Sequence, residues 1–185
     1  MIASVRGRVR RLGDDVNTDY IISSARKRET IDEQMLKRYL LEAVDPSFAA
    51  SVRAGDLLVA GANFGCGSAM EVAATVILAA GIPAVLARSF ARSFYRNAIN
   101  NGLLPIECDT SDITEGDAIS VAVDESGVVV ANERTGQREI RAPLGGIAGA
   151  ILAAGGLVPY LRREGRFVQP IERSIRPSPD AGESI

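Results

Sequence analysis

Three short apolar segments alternate with two helix-like segments in the middle of the chain. Residues 56–60, 84–87 and 103–107 have the length and composition of buried strands. The stretches between them, 68–80 and 90–101, have helical length, and each is followed by a glycine, which commonly ends a helix. Strands that alternate with helices in this way predict βαβ units with parallel pairing of the strands. The sequence therefore indicates an α/β fold with a parallel βαβαβ core.

The flanking segments add to this core. Residues 2–12 alternate weakly between polar and apolar and predict a first strand, followed by a polar loop. Thr30 and Glu33 have the spacing of a capping box, which predicts a helix from Thr30 to about Pro46. Strand and turn signals over residues 117–140 predict a small antiparallel β meander. We expect one domain over residues 1–165 and a C-terminal tail over 166–185.

Residues 142–161 contain no charged side chain and are long enough to span a bilayer. They also contain five glycines and two prolines, with few large aliphatic side chains. This composition favours a packed helix that ends at Gly155 and Gly156 over a membrane span. The N-terminal residues lack the apolar segment of a signal peptide, so the expected location is the cytoplasm.

Composition excludes several classes of function. The net charge is −2, with 21 basic and 23 acidic residues, which argues against a general nucleic-acid-binding protein. The chain contains no histidine, so catalysis by a histidine of this chain is excluded. Its two cysteines, Cys66 and Cys108, are too few for a four-thiolate cluster or zinc site. A base for proton transfer must therefore be a different residue type or come from a partner.

Residues 63–75, NFGCGSAMEVAAT, follow a predicted strand and lead into a predicted helix. Backbone amides at such a position point outward and favour an anion. Neither a phosphate-binding P-loop nor a complete dinucleotide fingerprint is present, because Met70 stands where a third glycine is needed. Two structural interpretations remain open: Ser68 and Glu71 could form a capping box, and Cys66 could be a small buried residue.

Three groups of basic residues lie near the glycine-rich segment or in the predicted loops beside it. Arg88 comes at the end of a predicted strand, where ligands bind in open α/β sheets. Arg92 and Arg96 share one face of the next helix, and residues 26–28 form a third basic group. Each group alone could be a solvated or salt-bridged surface. Together with the glycine-rich segment they indicate a carboxylate substrate.

Three motifs resemble those of the swivelling domains of the aconitase superfamily, which include the small subunits of 3-isopropylmalate dehydratase. They are GDDVNTD at 13–19 followed by Ile21 and Ile22, the segment 61–67 followed by Ser68 and Glu71, and SFAR…FYRNAIN…GL over 89–103. The resemblance extends from about residue 5 to residue 162. It implies an aconitase-type swivelling domain that combines the parallel core with the meander.

The resemblance also implies a function. This chain would be the small subunit of a two-subunit hydro-lyase that removes and re-adds water on a hydroxy di- or tricarboxylic acid. The substrate would be 3-isopropylmalate, as in leucine biosynthesis, or a related acid such as methylmalate, dimethylmalate or homoaconitate. A separate large subunit would hold a [4Fe–4S] cluster, and this chain would bind no metal or cofactor itself. Neither nucleic acid nor membrane is an expected partner.

Site residues follow from the resemblance by position. Ser68 would be the base, favoured as an alkoxide by surrounding backbone amides, and Asp19 would line the site. Arg28 lies on the loop that reads the variable group of the substrate. From the charge pattern and the resemblance together, the expected substrate-binding residues are Asp19, Arg26, Arg28, Gly67, Ala69, Met70 and Arg88.

Two departures from the family pattern affect the substrate. Ala69 and Met70 stand where the family usually has a second serine and a carboxylate-binding arginine. Loss of an arginine removes a strong charge-assisted contact. Either a cation from residues 25–28 replaces it, or the substrate differs. A non-catalytic partner subunit and a free-standing anion- or nucleotide-binding module remain as alternatives.

Overall fold

A mixed sheet of seven strands forms the framework of the protein in this computed structural model, which describes residues 3–167 except 125 and 143. In chain order, β1 to β7 are Ala3–Arg11, Leu57–Ala60, Ala84–Ala87, Leu104–Glu107, Ala118–Val123, Val128–Asn132 and Arg138–Arg141. In the described residues, α1 to α8 are Thr18–Ile21, Ser24–Glu29, Glu33–Leu36, Phe48–Ser51, Val72–Ala79, Arg92–Asn101, Gly146–Ala153 and Leu157–Glu164. A 3-10 turn, Lys37–Tyr39, follows α3.

Strand β1 joins the two halves of the sheet, whose order is β4-β3-β2-β1-β5-β6-β7. Its last residues run parallel to β2, with Val9 opposite Leu57, and β2, β3 and β4 continue in parallel. Its first residues pair antiparallel with β5, with Ala3 opposite Val123, and β6 and β7 extend that half as a meander. The predicted α/β fold, with a parallel βαβαβ core and a small meander, is confirmed.

Both faces of the parallel half are buried, which explains the uninterrupted apolar character of β2 and β3. On one face, Leu58 and Val85 pack in a cluster with residues of α1, α5 and α6. On the other face, Leu57 and Leu86 pack with side chains of the meander, such as Val121. The meander covers the second face of the parallel strands, whereas α1, α5 and α6 cover the first face.

Two of the predicted helix starts are wrong. Asp32, not Thr30, caps α3 by accepting a hydrogen bond from the amide of Gln34 at 2.8 Å. Thr30 instead ends α2, a helix that was not predicted. Similarly, α5 begins at Val72, so Ser68 lies before the helix and does not cap it. At α3 a second polar residue, Asp32, serves as the cap in place of Thr30, whereas no side chain caps α5.

The predicted packed helix before Gly155 and Gly156 corresponds to α7, whereas the second helix, α8, was not predicted. Helix α7 ends before Gly155 and Gly156, which have φ values of +83° and +125°, and α8 follows. Among the described residues no helix is both long enough and apolar enough to cross a membrane. The predicted tail lies outside the described residues from position 168 onward.

Candidate active site

The loops that follow β1, β2 and β3 meet at one edge of the sheet. The middle one, residues 61–71, is called the glycine loop below. The amide of Gly65 donates to the carbonyl of Val16 in the first loop at 2.8 Å. On the other side, the amide of Phe64 donates to the carbonyl of Ser89 in the third loop at 3.0 Å. The glycine loop is thus fixed by backbone hydrogen bonds to both neighbours.

Two glycines are required by the path of this loop. Gly65 and Gly67 have φ values of +77° and +90°, which side chains disfavour. A Cβ atom on Gly65 would lie 2.2 Å from Cγ of Phe94, and one on Gly67 would lie 2.5 Å from Oδ1 of Asn17. The glycines therefore allow the loop to approach both the core and the first loop closely.

Contacts between three phenylalanines anchor the glycine loop to the core. Phe64, in the loop itself, lies edge-to-face against Phe90 and Phe94, with ring centroids 5.9 and 5.0 Å away. Phe64 is completely buried. Such aromatic contacts stabilise a core and restrict its motion. The residues SFARSF of the third motif thus have a structural role beneath the loop.

Ser68 combines a fixed backbone with a free side chain. Its carbonyl accepts hydrogen bonds from Oγ1 of Thr18 at 2.9 Å and from the amide of Met70 at 2.8 Å. Its side chain is exposed, and its hydroxyl has no partner among the described residues. Within the same part of the chain, the amides of Gly67, Ser68 and Ala69 also have no acceptor. A free hydroxyl beside three free amides can bind a carboxylate or stabilise an alkoxide.

Asp19 lies on α1 directly after Thr18, and so belongs to the same edge. Its amide donates to Oδ1 of Asn17 at 2.9 Å, which caps α1. One carboxylate oxygen of Asp19 accepts from the hydroxyl of Ser24 at 2.7 Å. The same hydroxyl lies 3.9 Å from the sulfur of Met70. These contacts connect α1, the start of α2 and the glycine loop.

Two of the predicted cations are already paired. Arg88 contacts Oδ1 of Asp14 at 2.5 Å, and that oxygen also accepts from the amide of Ala62 at 2.7 Å. The Ala62 amide, together with Arg88, lowers the pKa of the Asp14 carboxyl. Arg26 forms an ion pair with Glu42 at 2.9 Å. These two arginines have less capacity to bind a substrate anion than their charge suggests.

The other predicted residues differ in accessibility. Met70 is 5% exposed and packs in the core, and its amide is engaged by Ser68. Arg28 is exposed and has no partner among the residues the structure describes. Arg92 and Arg96 line a separate cleft of about 510 Å³ between α6 and α7. The structure thus brings together Ser68, Gly67, Ala69 and Asp19, with α2 beside them.

Thr18 and Asp14 were missed by sequence reasoning as site-forming residues. Thr18 holds the backbone of Ser68, and Asp14 ties the start of the glycine loop to Arg88. The available signal was the polar run GDDVNTD directly after a strand that proves parallel to β2. Polar residues at the carboxyl ends of adjacent parallel strands converge on one site.

Comparison with known proteins gives consistent matches. The Aconitase C-terminal domain family matches residues 15–111. The chain is 44% identical over 159 residues to the methanogen homoaconitase small subunit of Methanocaldococcus jannaschii, covering 86% of this chain and 92% of that one. It is 45% identical over 161 residues to the 3-isopropylmalate dehydratase small subunit 1 of Methanopyrus kandleri, covering 87% and 94%.

A solved structure agrees with these matches. The crystal structure of 3-isopropylmalate dehydratase from Methanocaldococcus jannaschii superposes with a TM-score of 0.82 at 41% sequence identity. The match covers 88% of this chain and 96% of that one. The structural similarity therefore covers most of both chains.

Proposed function

The chain belongs to the Aconitase C-terminal domain family, and on this premise we propose that it is the small subunit of a two-subunit hydro-lyase. The enzyme dehydrates and rehydrates a hydroxy di- or tricarboxylic acid. Its substrate is 3-isopropylmalate or a related acid, such as another branched malate or homoaconitate. The names of the curated relatives support this assignment, and the matches cover nearly the full length of those relatives.

The arrangement around Ser68 is the observation that carries the proposal. Dehydration next to a carboxylate requires that a proton leave one carbon while the hydroxyl, protonated by an acid of the large subunit, leaves its neighbour as water. Ser68 Oγ, as the alkoxide, accepts that proton. Serine is a weak base in water, but the free amides of Gly67, Ser68 and Ala69 favour negative charge at this position. The stabilisation comes from these loop amides, since α5 begins four residues later at Val72.

The partner is a large subunit that holds a [4Fe–4S] cluster. When bound, such a cluster supplies Lewis-acid chemistry to the departing hydroxyl. In the described residues of this chain, no group of three or more histidine, cysteine or acidic side chains is placed to bind a metal ion. The chain's own contribution is therefore the base, the amides and the contacts that recognise the substrate. A cytoplasmic location stays a prediction from the sequence.

Substrate recognition is assigned to α2 and Asp19. Met70 provides no charge where relatives of the family usually have arginine, and Arg88 is paired with Asp14. Lys27 and Arg28 are the cations of α2 without a partner among the described residues. We assign the substrate carboxylate or variable group to Arg28, with Asp19 lining the site beside Ser24.

Reconstitution with the large subunit tests this function. The chain is co-purified from its native lysate under anaerobic conditions, and iron and acid-labile sulfide are quantified in the complex. The complex is then tested on a panel of hydroxy acids. Recovery of an iron–sulfur subunit and turnover of one of these acids supports the proposal. A complex inert towards the whole panel would favour the second candidate, a non-catalytic partner subunit, which the loss of the arginine at Met70 suggests.

A further inference from the structure

Helix α2 carries the predicted substrate-reading cations, yet none of its six residues is buried. A helix this short is unstable alone, because its initiation costs more free energy than one or two turns return. Contacts with the rest of the protein must therefore hold it. Ser23 caps the start by accepting a hydrogen bond from the amide of Arg26 at 3.4 Å. This cap does not explain what fixes the helix relative to the site.

One anchor lies at the first residue of the helix. The hydroxyl of Ser24 donates to Asp19 at 2.7 Å and lies 3.9 Å from the sulfur of Met70. Because Asp19 is on α1 and Met70 is in the glycine loop, this residue ties the start of α2 to the site. The last turn, which contains Arg28, needs a separate anchor.

Arg26 provides that second anchor. Its Nε and Nη2 atoms donate to the two carboxylate oxygens of Glu42 at 2.9 and 3.2 Å. Its guanidinium carbon lies 3.9 Å from the centre of the Tyr39 ring, in a cation–π contact. Its Nη1 atom donates to Glu29 at 3.4 Å. All three nitrogens of the guanidinium group are thus engaged within the protein.

The segment that Arg26 contacts is itself immobilised. Leu40 and Leu41, between Tyr39 and Glu42, are completely buried. The amide of Leu41 donates to the carbonyl of Ile21, at the end of α1, at 2.9 Å. Arg26 therefore connects the exposed helix α2 to a part of the chain that is continuous with the core.

We propose that Arg26 is a positioning residue, which fixes α2 against Tyr39 and Glu42 so that Arg28 is held at the site. This inference rests on the proposed function for the role of Arg28, but the contacts of Arg26 do not. It differs from the sequence-based prediction that Arg26 itself binds substrate. The Nε and Nη2 atoms of Arg26, which could bind a substrate carboxylate through two parallel hydrogen bonds, are already occupied by Glu42.

Amide hydrogen exchange on the isolated chain tests the anchor without any assay of activity. Arg26→Lys keeps the charge but loses the paired hydrogen bonds, and Glu42→Gln loses the ion pair from the other side. Either variant should accelerate exchange of the α2 amides about fivefold. The double variant should be no faster than the faster single one, since both remove the contact between Arg26 and Glu42. Arg38→Lys is the matched control, because Arg38 has no partner among the described residues.

Steady-state kinetics of the reconstituted complex separate positioning from contact. Arg28→Gln should raise KM without changing exchange in α2, whereas Arg26→Lys should change both. Partial loss of the ordered helix raises the apparent Kd by the inverse of the ordered fraction, so KM in Arg26→Lys should rise together with the exchange rate. If Arg26→Lys raises KM but does not accelerate exchange of the α2 amides, Arg26 contacts the substrate directly and the inference is overturned. Unchanged exchange with unchanged KM would overturn it as well.

The two proposals can fail separately. A wild-type complex without turnover on the acid panel contradicts the proposed function alone. The exchange measurement still decides whether Arg26 anchors α2, because it needs neither the large subunit nor a substrate.

Discussion

Replacement of Thr18 by valine removes the hydroxyl that fixes the backbone of Ser68. The Thr18 side chain is 1% exposed, and its hydroxyl donates to the Ser68 carbonyl at 2.9 Å. Water has little access to this position and cannot replace the lost donor. The Ser68 carbonyl keeps its hydrogen bond from the Met70 amide. The expected loss in the free energy of unfolding is therefore that of one hydrogen bond, about 1 kcal/mol, without the penalty of an orphaned carbonyl.

Stability and turnover should respond to Thr18→Val by different amounts. For a chain of this size, about 1 kcal/mol lowers Tm by roughly 2–4 °C. Turnover should fall at least about tenfold, because displacement of a reacting group by a fraction of an ångström removes much of its catalytic effect. Calorimetry of the isolated chain and initial rates of the reconstituted complex measure the two effects.

Thr110→Val provides the matched control. The Thr110 hydroxyl is also completely buried and donates to a backbone carbonyl, that of Ala60, at 2.7 Å. This variant should lose similar stability but keep turnover within about twofold of wild type. Equal turnover in the Thr18 and Thr110 variants would refute the reasoning, because the Thr18 hydrogen bond would then have no particular effect on Ser68.

Three further predictions concern stability and reactivity. Gly65→Ala should destabilise the fold by about 3 kcal/mol in chemical denaturation, because the new Cβ meets Phe94 at a left-handed φ; a loss below about 1 kcal/mol would contradict the packing described. Burial raises the pKa of Cys108 to about 12, so a thiol reagent near neutral pH should modify Cys66 alone, and Cys66→Ser should abolish labelling of the folded chain. Burial by itself would raise the pKa of Asp56, but hydrogen bonds from Arg8 and from the amide of Arg53 outweigh it, and the pKa is lowered. The free energy of unfolding lost in Asp56→Asn should therefore be constant above about pH 5 and shrink as the pH falls through the folded-state pKa. A loss of stability that grows in acid would contradict this.

The sequence predicted those parts of the fold that depend on local pattern. Strands β2 and β3 are recognisable because burial on both faces makes them apolar throughout. Helix α2 was missed because it has no apolar periodicity and no buried residue. It depends on contacts such as that between Arg26 and Glu42, which no local pattern reveals. Propensity alone cannot identify a helix that tertiary contacts stabilise.

The candidate site divides in the same way. Ser68 could be found from the glycine-rich segment and the family motif. The hydrogen bond from Thr18 joins residues 50 positions apart, and the pairing of Arg88 with Asp14 joins residues 74 apart. Charge at a strand end indicated Arg88 as an anion site. The sequence could not show that an aspartate in the neighbouring loop already occupies it.

The most direct test of the hydro-lyase assignment compares turnover in wild type and Ser68→Ala complexes with the iron–sulfur large subunit. Formation of the unsaturated acid is followed by ultraviolet absorbance. Ser126→Ala, in the turn between β5 and β6, is the control. Because the Ser68 hydroxyl has no partner in the described structure, Ser68→Ala should fold, bind the large subunit and retain its Tm, while turnover falls by about 10²–10⁴. A Ser68→Ala complex as active as wild type would contradict the assignment of Ser68 as the base.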